Sequence, residues 1–213
     1  MNTVQRCSAV QFTAASHTRE NRENWTVILQ YQDEGAGPWL VDLSHKSRFD
    51  LQDSTINEYS PGGVAVPPTP GMSVYTNTLL INRLNAGQAS LYCLGSAKPQ
   101  LEMDTAYTDV TDATVFLALF GPKIFHVTEK LTALDFLAPH KEPPFLYQGP
   151  FCHVPCQIVT LQRRTNGSGG ILLSCSRGYA KSMVEAILDA GEEFGLRPAG
   201  EDRFTGWLES PAE

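Results

Sequence analysis

The chain has 213 residues, of which 42% are hydrophobic and 18% charged, with a formal net charge of −7. That length suits one large domain or two small ones around a well-filled core, and the composition is that of an ordinary soluble globular protein. The acidic balance excludes a nucleic-acid binder, which needs a basic stripe to displace counterions, and no apolar run is long enough for a membrane span. The start, MNTVQRCSAVQF, lacks the apolar core of a secretory signal. The cysteines, Cys7, Cys93, Cys152, Cys156 and Cys175, are odd in number and sparse. This pattern predicts reduced thiols and a cytoplasmic location.

Residues 1–24 are polar and read as an N-terminal tail or pairing arm. Residues 25–31, WTVILQY, are rich in β-branched and aromatic side chains and predict a strand. A turn-rich break follows. Residues 39–51, WLVDLSHKSRFDL, predict strand structure with a tight bend at Ser44-His45. The next stretch, PGGVAVPPTPG, carries Pro61, Pro67, Pro68 and Pro70 and predicts an ordered extended loop, because proline removes amide donors and fixes φ. Residues 74–84 and 88–94 are two strand-like runs around Asn85-Ala86-Gly87, a hairpin pattern. Residues 96–112 are polar and acidic and read as a surface connection, with a possible domain sub-boundary there.

The central block starts with the apolar strand run ATVFLALF, residues 113–120. Gly121-Pro122 ends the run and opens a short helix over residues 123–131, with His126 on its apolar side. A loop with Pro139, Pro143, Pro144 and Pro150 follows. A hairpin then turns at residues 166–170, between CQIVTLQRR and ILLSC. Tyr179, Met183, Val184, Ile187, Leu188 and Phe194 fall at helical spacing and predict an amphipathic helix over residues 177–194. Ser176 is its expected cap, Gly195 its left-handed stop, and Pro198 bars continuation. Strand, helix, hairpin and helix in one block predict an α+β fold with helices packed against antiparallel sheets, as a single domain over residues 25–208.

No residue constellation announces chemistry. Cys152-His153-x-x-Cys156 lacks the spacing and second ligand pair of a zinc site, so no metal is expected. Asp42, Ser44 and His45 are triad ingredients, but neighbours along a strand face opposite ways and all three cannot converge. Gly167, Gly169 and Gly170 form no phosphate-binding pattern. Arg163-Arg164 reads as a solvent-facing pair at a strand end, and Trp25, Trp39 and Trp207 are the aromatic candidates for an exposed interface. No catalytic residue is assigned.

Three pieces carry a family likeness: VDLSHKSRFDL at residues 41–51; GVAVPPTPG at residues 63–71 with LLINRLNAGQASLYCLG at residues 79–95; and LFGPKIFHVTEKLTALDF at residues 119–136 with the terminal hairpin, helix and GLRPAG at residues 195–200. Together they resemble the γ subunit of heterotetrameric sarcosine oxidase and, more broadly, the folate-binding domain of the glycine-cleavage T protein. The resemblance implies a T-protein-like α+β fold and a place in a heteromeric, amine-oxidising, folate-linked complex of one-carbon metabolism. Its larger partner subunits would bind flavin and folate, and this chain would bind no cofactor itself. The alternative it implies is a stand-alone tetrahydrofolate-dependent aminomethyltransferase or demethylase component. The sequence departs from the folate-using pattern in two places. The T protein's early hairpin has Gly-Gly-x-x-Asp-Asp, whereas residues 79–95 contain no acidic residue. Its Arg-Thr-Gly-Tyr-Thr-Gly-Glu turn is matched only by Arg164-Thr165, and the pterin-binding glutamate is missing. A pterin edge wants a carboxylate acceptor in a dry pocket. In the folate-binding alternative the carried-over candidates are Arg164 and a late arginine, Arg203.

Overall fold

The computed structural model describes residues 5–76, 78–95, 101, 105–164 and 167–210. In chain order its strands and helices are β1 (Ser16–Arg22), β2 (Trp25–Tyr31), β3 (Trp39–Asp42), β4 (Arg48–Gln52), β5 (Ser73–Thr76), β6 (Leu79–Asn85), β7 (Gln88–Cys93), β8 (Tyr107–Asp109), β9 (Thr114–Pro122), α1 (Ile124–Glu129), β10 (Phe145–Phe151), β11 (Val154–Arg163), β12 (Ser168–Ser176), α2 (Ala180–Gly191), β13 (Arg197–Ala199) and α3 (Glu201–Glu209). The strands make three sheets. β1 and β2 form an antiparallel ribbon; a six-stranded sheet runs β10-β11-β12-β9-β3-β13; a five-stranded sheet runs β5-β6-β7-β4-β8. Among the strand pairs of the described residues only β13–β3 is parallel; an isolated bridge between Arg6 and Trp25 is parallel as well.

The apolar run of β9 is explained by its place between β12 and β3, where both faces are covered. Val115, Leu117 and Leu119 face α1 and α2, meeting Ile124, Val127, Met183 and Ile187. Phe116, Ala118 and Phe120 face the other way, toward Leu80 and Tyr92 of the five-stranded sheet and Phe204 and Trp207 of α3. The far face of the five-stranded sheet, including Ile81 and Leu91, is covered by Ile56 from the turn after β4 and Val66 from the proline-rich loop. The α+β architecture, antiparallel sheets with packed helices, is thus layered about one central strand.

The glycines of the β11–β12 hairpin owe their presence to packing. A Cβ on Gly169 would stand 2.3 Å from the Phe125 ring of α1, and one on Gly170 would stand 2.3 Å from the Trp207 ring of α3. Successive residues face opposite sides of a strand, so the two glycines let an aromatic ring press against the strand from each side.

Several expectations change. Residues 74–84 are two strands, not one: the chain reverses so that Thr76 lies opposite Leu79. The proline-bearing segment before β11 is partly the strand β10. It lies at the sheet edge, where Pro150 costs no ladder bond. Ser176 makes no side-chain cap; the amide that follows it, Arg177 N, donates to Ala113 O at 3.0 Å. His126 points outward and stacks on Phe194 at 6.0 Å, because Ile124, Phe125, Val127 and Thr128 take the buried face of α1. Of the three tryptophans, Trp25 and Trp207 are buried and Trp39 is half-buried. Asn166 of the expected turn, Thr165 of the Arg164-Thr165 match, and residues 96–100 and 102–104 of the acidic connection lie outside the described residues.

Arg48 joins the two large sheets. Its side chain is fully buried. Nε donates to Thr114 Oγ1 at 2.9 Å, Nη1 to Lys46 O at 2.7 Å, and Nη2 to Thr111 O at 2.6 Å and Thr114 O at 3.0 Å. Burial lowers its pKa to about 10, against the opposing pull of Tyr92, Asp42, Asp109 and Asp112, so it stays charged at neutral pH. Arg48→Lys keeps the charge but cannot reproduce the fork. It is expected to lower the unfolding free energy by about 3 kcal/mol, since it strands buried carbonyls. The exposed control Arg19→Lys should stay within about 0.5 kcal/mol. Urea unfolding followed by circular dichroism reads both; equal midpoints would remove Arg48 from this role.

Candidate functional site

Two cavities flank the β1–β2 ribbon and share Tyr31. The first, about 460 Å³, lies between the N-terminal segment and β2, with Phe12, Trp25, Tyr31, Asp42 and His45 in its wall. The second, about 550 Å³, lies between the ribbon and α3 and is lined by Glu34, Trp39, Arg203 and Trp207. Both sizes fall within the usual range of small-molecule sites.

The ribbon is fastened to the body by two buried carboxylates. Glu201, the first residue of α3, accepts from Arg22 Nη1 at 2.6 Å, forms an ion pair with Lys46 Nζ, and has His45 Nε2 3.4 Å away. Its place at a helix N-terminus adds the favourable end of the dipole. Burial opposes its ionisation, yet His45 and Lys46 outweigh that and hold its pKa at about 2. Glu34 is the second carboxylate. It accepts from Tyr31 N at 3.0 Å, Gly200 N at 2.9 Å and Arg203 Nε at 2.9 Å. Between them Gly200 lies so close to β2 that a Cβ would stand 2.0 Å from Leu29 O.

Asp42, Ser44 and His45 part company at the bend after β3. Asp42 and His45 both reach the first cavity. Asp42 Oδ1 also accepts from Ser44 N at 2.9 Å, which shapes the bend. Ser44 turns inward, with Oγ accepting from Phe116 N at 3.1 Å. It is therefore a structural hydroxyl and not a nucleophile. Burial raises the pKa of Tyr31, helped by the charges of Asp42 and Glu34, so its phenol remains a protonated hydrogen-bonding group.

Arg164 and Arg203 sit over two rings of one aromatic cluster. The Arg203 guanidinium is 5.2 Å from the Trp39 ring, and that of Arg164 is 5.4 Å from Trp207. Phe120 lies between, 5.4 Å from Trp39 and 5.0 Å from Trp207. Both arginines have internal partners. Arg164 donates to Gln162 Oε1 at 3.0 Å and Ser210 Oγ at 2.7 Å, and Arg203 to Glu34. Arg163 donates to Ala138 O at 3.0 Å. The pair read as solvent-facing is therefore half-buried, because residues 138–141 and the end of α3 fold over it.

The Cys152-His153 step is a turn with positive φ at both residues. The Cys156 thiol is raised by its hydrogen bond with Cys175 and by burial. Burial, then the nearby Cys175, raises Cys152 to about 11. These are protonated, weakly nucleophilic thiols. Among the described residues no group of three or more His, Cys, Asp or Glu side chains is arranged to hold a metal ion, and no helix is long and apolar enough to cross a membrane. The sequence reading missed Glu34 and Glu201. The GLRPAG motif at residues 195–200 was visible, but nothing local says that the next residue is buried among cations.

The sign of the Glu201 contribution fixes a pH window. Its folded pKa of about 2 lies below the unfolded value near 4.5, so the stabilisation is complete above pH 4.5 and is lost as pH falls toward 2. Glu201→Gln should cost about 3 kcal/mol at neutral pH. It should also flatten the fall of stability between those two pH values. Denaturant titrations across that range test this; parallel curves for the two proteins would contradict it.

Comparison with known proteins adds the following. No family model matches the chain. An aminomethyltransferase of Saccharopolyspora erythraea is 32% identical over 206 residues, covering 83% of this chain and 55% of the relative. An aminomethyltransferase of Geobacillus thermodenitrificans is 33% identical over 124 residues, covering 57% of this chain and 32% of the relative. The chain thus spans about half, or less, of the curated relatives it matches. Among solved structures, heterotetrameric sarcosine oxidase from Corynebacterium sp. U-96 matches with a TM-score of 0.58 at 16% identity, over 77% of this chain and 90% of that one. Glycine cleavage system aminomethyltransferase T from Bartonella henselae matches with a TM-score of 0.61 at 17% identity, over 89% of this chain and 57% of that one. The chain is similar to aminomethyltransferases over part of their length and has the fold shared by aminomethyltransferase T and a chain of heterotetrameric sarcosine oxidase.

Proposed function

We propose that this chain is a non-catalytic, γ-like subunit of a sarcosine oxidase-type complex, which oxidises N-methyl amines in the cytoplasm and is linked to folate. The observation that carries the reading is one of extent. The chain covers 90% of its match in heterotetrameric sarcosine oxidase but only 55% of the aminomethyltransferase from Saccharopolyspora erythraea. In this reading larger partner subunits hold the flavin and the folate, and this chain buttresses them and holds no cofactor.

The packing of β6 and β7 supports the same reading. The folate-using pattern places a carboxylate in this hairpin. Here Leu80 and Tyr92 fill one face, and Ile81 and Leu91 fill the other. The polar positions inside are spent on each other: Asn82 Nδ2 donates to Ser90 Oγ at 3.3 Å, and Ser73 Oγ to Asn82 Oδ1 at 2.7 Å. Arg164 and Arg203 are likewise engaged within the chain. The residues present do not fit a pterin ring, so no step is routed through folate.

The alternative is a stand-alone tetrahydrofolate-dependent aminomethyltransferase or demethylase component, favoured by the 32% identity over 206 residues. Affinity isolation of the tagged chain from its own host separates the two readings. Larger flavin-bearing chains are expected to come down with it. Elution of the chain alone, together with saturable tetrahydrofolate binding by calorimetry, would put the alternative first.

A further inference from the structure

We propose that Cys156 and Cys175 are a redox-modification site, closed by hydrogen peroxide into a reversible disulfide between neighbouring strands. The inference goes beyond the subunit reading and does not depend on it, because both residues belong to this chain's own β11–β12 hairpin. Gln157 lies opposite Ser174, so the next step along the ladder sets Cys156 opposite Cys175. Side chains at one step of an antiparallel pair share a face, and both thiols join the apolar cluster that includes α1 and α2. Directly opposed residues have Cα atoms about 4.5 or 5.5 Å apart, within the roughly 4.4–6.8 Å that a disulfide spans. The two thiols are free and already paired, Cys156 being hydrogen-bonded with Cys175.

The other thiols lack this placement. Cys93 is buried to a similar extent but lies opposite Leu79. Cys7 is exposed on the N-terminal segment. Cys152 sits in the turn between β10 and β11, off the ladder that β11 makes with β12. Cys175 is 5% exposed and Cys156 6%, which admits an oxidant the size of water and keeps bulky disulfides out. The hydrogen bond with Cys156 lowers the pKa of Cys175 against the effect of burial, so Cys175 is the nucleophile. Its thiolate attacks one oxygen of hydrogen peroxide: the S–O bond forms, the O–O bond breaks, and the hydroxide that leaves takes up the thiol proton as water. The Cys156 sulfur then displaces hydroxide from the sulfenic sulfur; the S–S bond forms, and its proton departs with that hydroxide as a second water. Two thiols are oxidised and one peroxide is reduced to two waters. The disulfide suits the apolar site better than the sulfenic acid, since it buries no hydroxyl.

Peptide mapping by mass spectrometry tests this on the full, folded chain. The chain is treated with hydrogen peroxide, alkylated in denaturant, and cut with trypsin. Cleavage after Arg163 and Arg164 puts the two cysteines on different peptides. The expected result is loss of the alkylated forms of Cys156 and Cys175 and the appearance of one peptide joining them, from a chain that still runs as a monomer on a non-reducing gel. Dithiothreitol should restore both alkylated peptides, and Cys93 should remain alkylated throughout. Cys152→Ala should keep the linked peptide, whereas Cys156→Ala should lose it. The wild-type chain decides the matter even where a variant does not fold. Continued alkylation of Cys156 and Cys175 after peroxide, a link from Cys175 to Cys152 instead, or a link that forms only once the chain is unfolded in urea would each overturn the proposal.

Discussion

A single guanidinium ties the two large sheets together. Arg48 belongs to β4 of the five-stranded sheet, but its donors go to the bend after β3 and to the segment that enters β9, reaching Thr114, the first residue of that strand of the six-stranded sheet. Its backbone takes part as well: Arg48 N donates to Thr111 Oγ1 at 3.0 Å and Val110 N to Arg48 O at 2.9 Å. A charge fully removed from water is tolerated only when its N–H groups find acceptors, and here backbone carbonyls supply most of them. The Phe116 ring, 5.1 Å away, closes the side toward β9. The bend that Arg48 holds is also the one that presents Asp42 and His45 to the first cavity.

The same logic governs the other end of the molecule. In the β1–β2 ribbon β1 is polar and exposed almost throughout, and the apolar side chains are those of β2. A two-stranded ribbon is marginal alone. It docks because α3 offers Glu201, Glu34 is anchored beside it, and Gly200 lets the backbones approach. These contacts are desolvated and multiply hydrogen-bonded, unlike surface pairs such as Lys181 with Glu185 at 3.9 Å, which contribute little. Both cavities border this ribbon.

The fold has been put to more than one use among the proteins it resembles, and a fold by itself does not carry chemistry. What distinguishes this chain is how its polar groups are spent. Ser44, Arg164, Arg203 and Asn82 all have internal partners. The aromatic cluster of Trp39, Phe120 and Trp207 is stapled by arginines on either side, so the groove beside α3 is built more for rigidity than for exchange of a ligand.

Much of the fold was legible in the sequence because it is written in local patterns. The doubly apolar run of β9, the 3.6-residue stripe of α2 ending at Gly195, the β6–β7 and β11–β12 hairpins, and the bend at Ser44-His45 all follow from side-chain period and turn chemistry. The likeness to the T protein lay in short motifs along the chain. Elements whose stability comes from distant partners were not legible. β10 looks like a loop until its edge position excuses Pro150; β1 is polar and needs β2; α3 is short, and its apolar residues are explained only by Phe120 and Gly170. Sequence alone determined the layer type, the central strand and the missing acidic residues of the folate pattern. Tertiary structure alone decided which charges are buried, because each of Arg48, Glu34 and Glu201 needs partners far along the chain, Thr111, Gly200 and Arg22 among them, and no local period records them.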